Sequence, residues 1–375
     1  MPLIPFLLAI LIAPALASDT PQPVAMTRAA DFRPRIIDDA TGGALAVWQS
    51  DDGTDFDVLS ASFRSGAWSS PTRLSTDQGA DFNPAAASSP DGSIVVVWIT
   101  DRYGDERLVT RRRTGDTWGA EILLGTPSGR NLAPDVIWDG SSFRIFWYSS
   151  ASGGMDIYTS GESHGGWTQP QLLFDTGADD RYPDTALAPD GTLWLTWTGA
   201  GLGNLDIYSA HRDGSGWSLP MPVEQDRTQD ARSSVEAASD GTVWIVWDAK
   251  RDLNSNIYGS MWTGTNWSTP TALSSGSNDE FCPRLTRAAD NALAMTFYGL
   301  ETFGTQEWQD DNFEIYTAEW TASGWSPPER VTENGAHDFA PDAVSIGGTL
   351  HLVWESTQYG WDSVDILHLT VSSDD

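Results

Sequence analysis

Few residues in this chain combine the type and the setting that chemistry needs. Its five histidines are His164, His211, His337, His351 and His368, too scattered for a zinc ligand set. His337, beside Asp338, is the one reasonable general base for a hydrolase or lyase. A second group is aromatic and acidic. Residues 301–312 (ETFGTQEWQDDN) place Trp308 beside Asp310 and Asp311, and a later loop carries Tyr359 and Trp361. Aromatic rings beside carboxylates suit a sugar, whose C–H face stacks on a ring while its hydroxyls bond to the acids. A third group mixes charges at one recurring position, with Arg35, Asp184, Arg284 and Asp342 there and Arg232 just before it in one unit. That group reads either as a ligand site or as the solvated lining of a bore. No phosphate-cradling Gly-rich loop, EF-hand pattern or serine nucleophile elbow is present.

A repeat positions these groups. A Pro recurs about every 50 residues, at 34, 84, 134, 183, 283 and 341. One Trp follows at 48, 98, 147, 197, 247 and 354, and another at 68, 118, 167, 217, 267 and 325. Each unit reads as four short strands. An apolar run after the Pro leads through an Asp-Gly turn (Asp91-Gly92, Asp190-Gly191, Asp240-Gly241) into a β-branched run ending in Trp. That is hairpin chemistry, because Gly accepts positive φ without steric cost. An Asp-Ile-Tyr strand and a Trp-Ser-x-Pro strand complete the unit, the Pro suiting a sheet edge. Four strands and a Trp per unit of this length predict an all-β, seven-bladed propeller of four-stranded antiparallel blades.

Repeats start near residues 31, 81, 131, 180, 230, 280 and 338. The seventh lacks its last strand, and residues 21–34 align with residues 71–84, a last strand plus the step into the next unit. The N-terminal segment is therefore expected to complete the seventh blade and close the ring, leaving no free edge. Residues 1–17 read as a signal peptide ending Ala15-Leu16-Ala17, and residues 18–375 as one propeller domain. An exported monomer, periplasmic or extracellular, is expected, with no membrane insertion.

Composition narrows the partners. The formal net charge of −31 argues against nucleic acid and anionic membrane surfaces. It is compatible with Ca²⁺, though no cofactor is otherwise expected. The single Cys, Cys282, excludes an internal disulfide. Twelve Trp hold the two repeat positions and are expected to pack between blades. The acidic residue three before the Pro (Asp31, Asp81, Asp180, Asp230, Glu280, Asp338) invites comparison with a cation-binding ring, and is expected instead to satisfy a turn.

The pattern D-x-x-P, D-G, β run, D-I-Y resembles the TolB-type WD40-like repeats of periplasmic propellers, across nearly all of residues 18–375. The Gly-x-Trp-Ser-x-Pro strand is also similar, more weakly, to repeats in propeller lectins. The resemblance implies the fold and leaves function open, because such repeats serve binders, scaffolds and enzymes. The expected function is non-enzymatic binding of a glycan or an envelope protein on the loop face. The alternative is a glycoside hydrolase or polysaccharide lyase with its site at the channel mouth.

Overall fold

A computed structural model describes residues 20–372 apart from 26, 28, 77, 202, 226–227, 252, 277, 302–311 and 361–363. Among the described residues every regular element is a β-strand, and the strands form seven antiparallel sheets arranged in a ring. Among these residues no helix is long and apolar enough to cross a membrane.

Each blade follows from its sequence. The second strand, such as Ile94–Thr100, is buried at every position, because neighbouring blades cover both of its faces. That sandwiching explains its unbroken apolar run in place of alternation. Gly92, Gly191 and Gly241 take φ of 80°, 86° and 91° in the hairpins before it. The outer strand survives as two-residue pieces, for example Ala67–Trp68 and Thr72–Arg73 on either side of Pro71. In blade 7 the outer place is taken by Gln22–Pro23, with Gln22 opposite His368 and Pro23 opposite Leu367. The next amide, Val24 N–H, donates to Ile366 O at 2.8 Å. The ring closes as the sequence implies.

The acidic residue before the Pro requires a correction. It does not serve a turn alone: in blades 2, 4 and 7 it is a buried acceptor for the repeat indole. Trp98, Trp197 and Trp354 donate Nε1–H to Asp81, Asp180 and Asp338 at 2.9, 2.8 and 3.0 Å, and Trp147 donates to Asn131 at 3.0 Å. These carboxylates are at most 1 % exposed. Burial raises Asp81 and Asp180 to about 6. In blade 6 the Trp is replaced by Phe297, which has no N–H to offer. There the acid is the longer Glu280, which bonds to Ser274.

Candidate functional site

The innermost strand of every blade carries a β-bulge that the sequence does not announce. The residue before the repeat Pro, or before Ser233 in blade 5, is left-handed in all seven blades: Arg33, Asn83, Ala133, Tyr182, Arg232, Cys282 and Ala340, with φ between 45° and 58°. The strand register shifts at each of these places. Non-glycine residues hold this conformation only where surrounding structure enforces it. The enforcement is visible in four blades, where the residue after the repeat Trp of the preceding blade accepts the bulge N–H. Glu355 takes Arg33 N–H at 2.7 Å, Gln49 takes Asn83 at 2.9 Å, Thr198 takes Arg232 at 3.3 Å and Asp248 takes Cys282 at 3.1 Å.

The bulges ring the channel mouth on the face that carries the blade-to-blade loops. Bulges re-aim side chains at barrel and propeller rims. Arg33 Nη1 reaches Asn83 Oδ1 at 3.3 Å in the next blade. Across the ring, Tyr182 is 47 % exposed and meets Tyr148 edge-on at 5.5 Å. Beside it Arg232 grips Asp248 with two bonds of 2.7 and 2.9 Å and lies 5.2 Å from the Phe281 ring.

The mouth carboxylates differ in availability. Asp248 is committed on both oxygens, to Arg232 and to the Cys282 amide. Glu355, 4 % exposed, forms no ion pair among the described residues, and burial pushes it up to about 7 despite the Arg33 amide and charge. His337 stands in the same sector. Its backbone N–H donates to Thr357 Oγ1 at 2.8 Å and its ring lies 5.8 Å from the Phe313 ring. Exposed Tyr359 follows in the next loop of blade 7.

Arg35, Asp184, Arg284 and Asp342 come together in the axial channel, below the bulges. Arg284 Nη1 meets Asp184 Oδ1 at 2.8 Å, while Asp184 Oδ2 accepts Ser234 Oγ–H at 3.0 Å and Val235 N–H at 2.9 Å. Asp342 accepts Ile36 N–H at 2.9 Å and lies 4.0 Å from Arg35. These groups therefore tie neighbouring inner strands together while facing a cavity of about 720 Å³. The cavity extends toward the opposite face, lined there by Glu236, Arg287 and the first hairpin turns. Burial, with Asp184 nearby, raises Asp135 in this ring to about 7.

Trp308, Asp310, Asp311 and Trp361 lie outside the described residues. Arg232 sits on a bulge, one step above the channel ring. Asp338 is an indole acceptor inside blade 7, which removes it as a partner for His337 chemistry. Among the described residues no group of three or more His, Cys, Asp or Glu is disposed to hold a metal ion. Sequence reading missed Glu355, Arg33 and Tyr182. The one available signal was their fixed offset, the residue after the first Trp and the residue before the Pro.

The chain matches no protein-family profile and no curated protein sequence. Solved structures share the architecture at low identity. A protein of unknown function from Dyadobacter fermentans superposes with TM-score 0.60 at 11 % identity, covering 96 % of this chain and 99 % of that one. An ulvan lyase representing a new polysaccharide lyase family, bound to a GlcA(1-4)Rha3S repeat, gives 0.64 at 11 %, covering 93 % and 96 %. A Penicillium chrysogenum α-L-arabinanase with arabinobiose gives 0.53 at 14 %, covering 78 % and 93 %. These likenesses establish the fold.

Proposed function

We propose that this chain is a carbohydrate-active propeller that cleaves a uronate-bearing polysaccharide by β-elimination, at the sector of the mouth where blade 7 meets blade 1. The observation that carries the reading is Glu355. It is a carboxyl whose pKa burial raises to about 7, in no ion pair among the described residues, under a bulge that presents Arg33 outward. A base with its pKa near the working pH is best placed to take a proton. In the proposed step Glu355 takes the proton α to the substrate carboxylate, whose charge Arg33 offsets. The electron pair forms the new C=C bond as the glycosidic oxygen leaves, and His337 is the candidate to protonate that oxygen. Elimination fits better than hydrolysis. A glycosidase needs two free carboxyl groups about 5–10 Å apart, and Asp248 has no oxygen to spare. Neighbouring folds in the ulvan lyase and the arabinanase support a carbohydrate substrate without selecting one. The TolB-type repeat pattern supports the propeller and lends no partner.

The test is a screen against ulvan, alginate and polygalacturonate, with arabinan as a neutral control. Both ultraviolet absorbance of unsaturated product and new reducing ends are followed. Absorbance should rise on at least one polyuronate and fall by about 10²–10⁴ in Glu355→Gln. Reducing ends without absorbance would replace elimination by hydrolysis. Glycan binding with neither signal would return the chain to the non-enzymatic binder that its sequence first suggests.

A further inference from the structure

We propose that the outer wall between blades 1 and 2 carries a second, independent site, built for one unit of a neutral saccharide. A cavity of about 510 Å³ opens there, on the hairpin face opposite the mouth and away from Glu355. Its size falls in the range of about 300–1,000 Å³ usual for ligand pockets. Its walls are the indoles of Trp68 and Trp118, and its polar groups include Ser62, Thr72, Arg64 and Arg113.

Arg113 identifies the cavity as more than a packing gap. It is 4 % exposed, yet its Nε–H has no partner, although Nη1 donates to Ser62 Oγ at 2.9 Å. An orphaned guanidinium N–H beside a cavity is costly unless something accepts from it. A sugar hydroxyl or ring oxygen can accept from such a donor, while the sugar's C–H face lies on an indole.

The charge balance selects a neutral sugar. Arg113 lies 3.7 Å from Asp39, and Arg64 bridges Asp39 at 3.0 Å and Asp116 at 3.2 Å. Two guanidinium groups thus face two carboxylates, leaving no net attraction for a sulfate or uronate in a chain of charge −31. The slots between blades 2 and 3 and between blades 4 and 5 are bridged by the second repeat indole. Trp167 bonds to Thr110 of the preceding blade at 2.9 Å and Trp267 to Ser209 at 2.7 Å.

The experiment is titration of the whole protein with maltose, cellobiose and lactose, read by ligand-observed NMR and tryptophan fluorescence. Glucuronic acid and galactose 6-sulfate are the charged comparators. Saturable binding of at least one neutral disaccharide is expected, with Kd on the order of 1 mM. Exposed Thr72→Trp should plug the opening and weaken that binding at least about tenfold, while Arg33→Ala at the mouth leaves it unchanged. Arg113→Gln should weaken it as well, and Thr72→Trp decides the matter if that variant misfolds. No saturable binding, binding indifferent to Thr72→Trp, or a preference for the charged comparators would each overturn the proposal. Failure of polyuronate cleavage would leave it standing.

Discussion

Two outer slots of the same ring solve one packing problem in opposite ways. Between blades 4 and 5, Trp262 closes the slot, its ring 5.1 Å from Trp194 and 5.4 Å from Trp267. Between blades 1 and 2 the same position, five residues before the second repeat Trp, holds Arg113, and the slot stays open. The facing residue, first of the hairpin turn in the preceding blade, changes in step. It is Asp39 opposite Arg113 and Asp139 opposite Arg212, at 3.7 and 3.3 Å. Against Trp262 it is Ala188, and against Trp320 it is Ala238, each sharing an apolar cluster with its Trp. These four interfaces therefore use two compatible pairs, cation with acid or indole with methyl. Between the open and the closed slot the backbone is nearly constant and this pair of side chains is what differs.

Mixing the two pairs should be the most damaging change. Trp262→Arg places a guanidinium opposite Ala188, with no acid to meet it, and removes the indole that fills the slot. A loss of about 3–5 kcal/mol in chemical denaturation is expected, partly recovered by adding Ala188→Asp. No recovery in the double variant would separate the two positions. Asp39→Ala should come next, at about 3 kcal/mol, since it leaves buried Arg113 unpaired; Arg64, largely in solvent, contributes little to that figure. Grafting the closed pair into the open slot, Asp39→Ala with Arg113→Trp, should keep stability within about 1 kcal/mol of the parent, because an apolar pair can replace a buried ion pair. The graft should also abolish disaccharide binding. Retained binding would place the sugar elsewhere.

The smallest effect compares the ring's buried acids with its buried imidazoles. Asp31, Asp81 and Asp180 are raised to about 6 by burial, and Glu236, Glu280 and Glu355 to about 7. The folded state holds these protons more tightly, so their stabilisation is complete below about pH 4 and is lost as pH rises through 6 to 7. The stacked pair His351 and His368, 3.1 Å apart, works the other way. Burial lowers both, His368 to about 4, so their share is present above pH 6.5 and lost as pH falls through 4. The acids outnumber the imidazoles, so Tm should rise by a few degrees from pH 8 to pH 5.5. A flat or falling Tm would show that the acids are effectively solvated.

Blade number, hairpins and ring closure were legible because they rest on recurrence. Trp at a fixed spacing and a detached outer strand at residues 21–34 leave little freedom. The bulge was not legible. No Gly marks it, since the strain is held by a side chain from another blade, and Gln49, Thr198, Asp248 and Glu355 share position without sharing chemistry. The role of Asp81 and its equivalents was misread for a related reason. The motif D-x-x-P looks the same whether the acid serves a turn or an indole, and only the fold brings Trp98 to it. Likewise Arg113 appears in sequence as one more charge on an outward strand, Arg111-Arg112-Arg113. Its burial depends on the neighbouring blade.

Ring closure also orders events in time. Gln22–Pro23 must wait for the strand Asp365–Ser372, which emerges from the ribosome some 340 residues later. Bringing such distant segments together costs about 5 kcal/mol of chain entropy. Until then blade 1 lacks a neighbour on one side, and Phe63 and Trp68, which stack on His351 and His368 at 5.2 Å in the finished ring, face solvent. An arrested or clipped chain is thus an open crescent with sticky ends, and the final strand serves as its quality check.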